Sequence, residues 1–143
     1  MRTTCFTTRN TTETLRYHYG CVMQQDITGG EPTVITCAND RLPGLEGTPY
    51  QYGAISGYNG AVAFVAQDQE DTSGNRRTGL YLYQHGHIRK VAASGDTVAG
   101  DVIGSNYFSN YNIVISTTAM ECGKVAFWAE TTTGQWANYL AQK

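Results

Sequence analysis

Apolar positions along this chain fall in short runs, and hardly any recur at helical spacing. The runs are β-branched or aromatic and are bounded by Gly, Asn, Asp and Ser, as strands separated by turns are. The pattern predicts strands near Leu15–Met23, Thr33–Ala38, Gln51–Ser56, Ala61–Gln67, Gly79–Gln84, His87–Ala93, Asn112–Ser116, Lys124–Glu130 and Trp136–Ala141. Leu80-Tyr81-Leu82-Tyr83, the turn Gln84-His85-Gly86 and then His87-Ile88-Arg89-Lys90-Val91 read as one tight hairpin. The run Val62-Ala63-Phe64-Val65-Ala66 is apolar at every position, so its strand is expected to be covered on both faces.

Several segments recur in the same order. Gly60-Ala61-Val62-Ala63-Phe64-Val65-Ala66 returns as Gly123-Lys124-Val125-Ala126-Phe127-Trp128-Ala129, an offset of 63. Tyr52-Gly53-Ala54-Ile55-Ser56 matches Asn112-Ile113-Val114-Ile115-Ser116 at 60, and Val34 to Gly44 parallels Val91 to Gly100, with Asp40 over Asp96 at 56. Offsets that grow along the chain are what small loop insertions between equivalent strands produce. Four short antiparallel strands per unit describe a β-propeller blade. The reading is a single all-β domain over 1–143, divided into an N-terminal extension 1–32, a first repeat 33–84 and a second repeat 88–141. The set Val-Ala-Phe-x-Ala, Gly79-Leu80-Tyr81, Gly86-His87-Ile88 and Gly95-Asp96-Thr97-Val98 resembles a propeller-type tandem repeat of bacterial surface and exported proteins. That resemblance implies a blade architecture and no particular activity. Short strands at this spacing fit a single β-sandwich or barrel as an alternative.

Two blades leave two apolar faces in water, and closed rings need four to eight. The fold is therefore expected to be completed by homo-oligomerisation. Thr33–Ala38 is expected to supply the missing outer strand of the last blade of another copy, and a trimer, with six blades, is favoured.

Composition narrows the partners. Hydrophobic residues make up 41% and charged ones 15%, with 19 Thr, 16 Gly and 10 Tyr filling the difference. This argues against disorder. A net charge of −2 gives no electrostatic grip on nucleic acid or on an anionic membrane, so neither is expected as a partner. No run approaches the length of a membrane span. The start, Met1-Arg2-Thr3-Thr4-Cys5-Phe6, has no signal-peptide pattern, so a cytoplasmic location is expected, with export as the alternative if a leader has been removed. In that reducing setting Cys5, Cys21, Cys37 and Cys122 are expected mainly as free thiols, with at least one disulfide as the alternative.

Candidate chemistry is sparse. His85-Gly86-His87 has the spacing of a chelate but reads better as an exposed turn, and His18 as a sheet residue. Asp68-Gln69-Glu70-Asp71-Thr72-Ser73-Gly74 alternates oxygen ligands but lacks the distal Glu of a calcium loop, and reads as a solvated hairpin loop. Asp40 and Asp96 read as turn caps. No nucleophile elbow or phosphate loop is present, and no metal or cofactor is expected. Aromatic residues remain. Trp128 takes the place of Val65 and is expected in the core, whereas Trp136, Tyr58, Tyr107 and Tyr111 are the candidate ligand-binding residues. The function expected is a non-enzymatic binding module for a glycan or a protein. The alternatives are a hydrolase or lyase with a carboxylate/His pocket, or a structural assembly protein.

Overall fold

The computed structural model describes residues 13–18, 20–26, 30–38, 40–68, 71–107 and 111–142. Among them there is no helix, hence none long and apolar enough to cross a membrane, and the antiparallel sheets close no barrel. The first sheet holds β1 (Glu13–His18), β2 (Cys21–Asp26) and β3 (Thr33–Cys37) in that order. The middle sheet is a meander of β4 (Pro49–Tyr58), β5 (Ala61–Asp68), β7 (Thr78–Gln84) and β8 (His87–Ala93), with the short β6 (Asn75–Arg76) between β5 and β7 in the chain. Two brief pairings follow: β9 (Thr97–Val98) with β10 (Asp101–Val102), and β11 (Asn106–Tyr107) with β6. In the last sheet β12 (Ile113–Val114) and β13 (Met120–Glu121) share one edge of β14 (Lys124–Glu130), and β15 (Trp136–Gln142) pairs along the other.

The all-β, antiparallel expectation is thus met, with differences in detail. The strand expected over Leu15–Met23 is a hairpin, because Gly20 takes a left-handed φ of 79° and reverses the chain between β1 and β2. Asn112–Ser116 contributes only β12, and the edge is completed by β13 further along. Thr33–Cys37 pairs with β2 in its own chain, at the edge of the first sheet. The three described cysteines are not free thiols. Cys21 and Cys37 face each other across the β2–β3 register and form a disulfide, and Cys122 is disulfide-bonded as well. Spacing along the chain says nothing about which strands come into register, so this was not readable beforehand.

The middle sheet lies between the other two, and β5 is buried at every position. One face, carrying Ala63, Val65, Leu80, Leu82 and Ala92, packs with Ile113, Ile115, Val125, Phe127 and Ala129 of the last sheet. The opposite face, carrying Val62, Phe64, Ala66 and Tyr81, packs with Val22 of the first sheet and with Leu42. The small alanines alternate with Phe64 and Leu82, which lets the layers interdigitate. Phe64 stacks on Tyr81 at 5.4 Å, and Phe127 on Tyr139 at 5.3 Å. β1 of the first sheet and β13 of the last both approach β4 of the middle one.

Turns at matching places share their geometry. Asn59-Gly60 before β5 has φ of 50° and 80°, and Cys122-Gly123 before β14 has 49° and 75°, the values a two-residue hairpin turn demands. After β3 the Asp40 carboxylate accepts the Cys37 N–H at 2.8 Å, and after β8 the Asp96 carboxylate accepts the Ala93 N–H at 2.9 Å. Beyond each corner a glycine, Gly44 or Gly100, takes a φ of 87° or 89°. The loop leaving β5 bonds Asp71 N–H to Asn75 O, and the loop leaving β14 bonds Thr131 N–H to Gln135 O, both at 2.8 Å.

Candidate functional site

Two places could carry function: a polar cleft beside the middle sheet and the outward face of the last sheet. The cleft encloses about 340 Å³ and is lined by Glu46, Gly47, Thr48, Asp68, Asp71, Asn75 and Arg77. Its charged groups are already engaged. Buried Asp68 accepts the Arg77 N–H at 2.8 Å and the Glu46 N–H at 3.1 Å, one on each carboxylate oxygen. The Arg77 guanidinium donates to Gly44 O at 3.2 Å and to Ser94 O at 2.8 Å, and meets Glu46 at 3.4 Å. It is a strut that ties the loop after β3 to the end of β8.

Asp71 accepts the N–H groups of Ser73 and Asn75 at 2.8 and 2.9 Å, which braces its own loop. Those bonds, led by the one from Asn75, hold its carboxyl below the usual value. The Asp68 and Asp71 carboxylate oxygens so bonded all accept from the backbone. The Asp68–Gly74 loop is therefore a self-capped turn over its described part; Gln69 and Glu70 lie outside the described residues. His85 occupies the β7–β8 turn and His87 opens β8, both exposed. Among the described residues no three His, Cys, Asp or Glu side chains gather to hold a metal ion.

The second place follows from alternation. Along β14, Val125, Phe127 and Ala129 are buried, while Lys124, Ala126 and Trp128 are exposed. Cross-strand partners share a face in an antiparallel sheet. Register therefore sets Val114, Trp128 and Asn138 in one row, Ala126 and Leu140 in the next, and Glu130 with Trp136 at the end. On this outward face Val114 is 39%, Trp128 43%, Trp136 51% and Leu140 56% exposed. Four large apolar side chains in adjacent rows are an unusual surface for a soluble domain.

No family model, characterised protein or solved structure matches this chain.

The structure distributes the residues expected from sequence. Trp136 is exposed on the outward face, as anticipated. Tyr58 and Tyr111 are half-buried and pack against the core between the middle and last sheets, on the other side. A methyl group at Gly53 would meet the Tyr111 ring at 3.2 Å, so that ring is closely seated. Tyr107 lies in β11 opposite Asn75, and its side chain is outside the described residues, as is that of His18. The four do not converge.

Trp128 corrects the sequence reading. It shares the repeat position of Val65, but Val65 has the last sheet over it and Trp128 has no sheet over it among the described residues. Sequence reasoning also missed Val114 and Leu140. The signal was present in the strand itself: Leu140 stands between Tyr139 and Ala141, the two residues facing the core.

Proposed function

We propose that this chain is a non-enzymatic interaction module, an arc of three propeller-like sheets that engages its partner through the outward face of the last one. The observation that carries the reading is the row of Val114, Trp128, Leu140 and Trp136, exposed together on a face whose counterpart in the middle sheet is covered. The matched corners at Asp40 and Asp96 and the matched turns at Gly60 and Gly123 support the tandem propeller-type repeat. Prior engagement of the cleft carboxylates speaks against a hydrolase or lyase. The face is better suited to a protein than to a glycan, because Val114 and Leu140 offer sugar hydroxyls no hydrogen bonds. The Cys21–Cys37 disulfide supports the exported alternative, since disulfides persist in oxidising compartments.

Both tryptophans of the chain lie on this face. Their emission therefore reports its coverage. We expect the emission to move to shorter wavelength as protein concentration is raised or as one of a panel of oligosaccharides is added. Emission unchanged under both conditions overturns the reading. So does turnover of a glycoside, ester or polyuronide panel that Asp68→Asn abolishes.

A further inference from the structure

We infer that the outward face of the last sheet is covered by the outward face of the first sheet of a second copy, and that two copies close head to tail. The inference rests on the three-sheet arc proposed above and names its partner.

Each sheet turns equivalent positions toward the sheet before it. Val62, Phe64 and Ala66 of β5 pack toward the first sheet, and Val125, Phe127 and Ala129 of β14 pack toward the middle one. The alternate positions of β5, Ala63 and Val65, are covered by the sheet that follows. Their counterparts in β14, Ala126 and Trp128, are where a following sheet would sit. At the other end of the arc, Val22 and Thr36 point inward, Val22 into the core and Thr36 toward the Tyr52 hydroxyl at 3.4 Å. Cys21 and Met23 flank Val22 on the opposite face of β2, and across the β2–β3 pairing Cys37 stands opposite Cys21 and, beyond a register shift, Val34 opposite Met23. Val34 is 54% exposed and the other three are half-buried. The arc thus ends in two different faces, one with the exposed Trp128, Trp136 and Leu140 and one with Met23 and Val34 in a row that Arg16 joins by register, the arrangement that a heterologous contact needs and a two-fold isologous patch does not.

Count and area select the stoichiometry. Rings of such sheets hold four to eight, so three sheets per chain close as six from two copies, whereas three copies would bring nine. The trimer favoured from sequence took two sheets per chain. A face three strands wide and six residues long, the length of β1 and β2, spans roughly 14 by 20 Å, or about 300 Å². One such contact falls well short of the roughly 800 Å² per partner of a standard interface. Closure gives every copy two contacts, which together approach it. A closed pair is therefore favoured over an open chain of single contacts.

The test uses the full chain in sedimentation or light scattering between about 1 and 100 μM. The expected mass is twice the 15.6 kDa of one chain. Trp128→Lys and Val34→Glu alter exposed side chains at opposite ends, and each alone is expected to halve the mass while leaving the circular dichroism unchanged. Mixed one to one, they are expected to regain the doubled mass, because one contact is then wild type and the other pairs Lys with Glu. A wild-type chain that stays monomeric overturns the inference; the interaction reading survives that result if an oligosaccharide shifts the emission of the monomer, and falls if none does. A trimer overturns the two-copy closure. A dimer that Trp128→Lys breaks and Val34→Glu leaves intact overturns the head-to-tail arrangement.

Discussion

Tyr81 shows how one side chain can hold several elements. It is fully buried, stacks on Phe64 and donates its hydroxyl to Pro43 O at 2.8 Å, fastening the segment between β3 and β4 to the middle sheet. Gly79 leaves the space its ring occupies, since a methyl group there would collide with it. Burial, with the Asp68 and Asp96 carboxylates adding to it, raises the Tyr81 pKa far above the ordinary 10.0. The phenol therefore stays protonated in the native state while the unfolded chain ionises near pH 10. Its contribution is complete below that pH and is lost as pH rises. Denaturation followed from pH 7 to 11 is expected to show stability falling above pH 10. Tyr81→Phe is expected to cost about 1 kcal/mol at neutral pH and to flatten that fall. Part of the slope remains, because burial also raises the pKa of Tyr52. The burial of Tyr81 was legible in the unbroken apolar register of its strand; the bond to Pro43 was not, because it joins residues 38 positions apart.

Among the elements, hairpins were the most legible. Gly86 and Gly60 follow His85 and Asn59, and all four residues take the left-handed values that a two-residue turn requires. The β9–β10 turn has the same form, but its first position is Ala99, at a φ of 51°. For a residue with a Cβ other than Asn or Asp that conformation costs roughly 1–2 kcal/mol. Ala99 is exposed, so a larger side chain meets no obstacle. Ala99→Asn is expected to stabilise the fold by about 0.5–1 kcal/mol, raising the thermal midpoint by about 2–4 °C. An unchanged or lower midpoint would contradict the turn assignment. Two element-level features resisted sequence reading. The β1–β2 reversal depends on one glycine inside an otherwise strand-like stretch, and β13 is only two residues long, joined to β14 by a Cys122-Gly123 turn that lacks the Asn or Asp usual at its first position.

At the scale of the whole molecule, stability is a sum of sheets and of the joints between them. The middle sheet has two joints and each terminal sheet has one within the chain. With the terminal faces joined between two copies as inferred above, mass action makes the apparent stability depend on protein concentration. The wild-type melting temperature is expected to rise between about 1 and 100 μM, and that of Trp128→Lys to stay constant, by calorimetry or circular dichroism. Which face is buried was legible only where the covering layer lies in the same chain. Val65 and Trp128 hold equivalent places in the sequence, and only what packs above them tells core from surface.

The corners at Asp40 and Asp96 have a consequence beyond local bracing. A carboxylate that gathers the backbone of the turn behind it fixes the angle at which the chain leaves one sheet for the next. Unlike end faces, repeated at a constant angle, either meet after a whole number of steps or miss and spiral without limit. In the head-to-tail assembly inferred above, the same two aspartates therefore sit at the boundary between a discrete particle and a filament. A small change of pitch at either corner would leave every sheet intact and still convert one into the other.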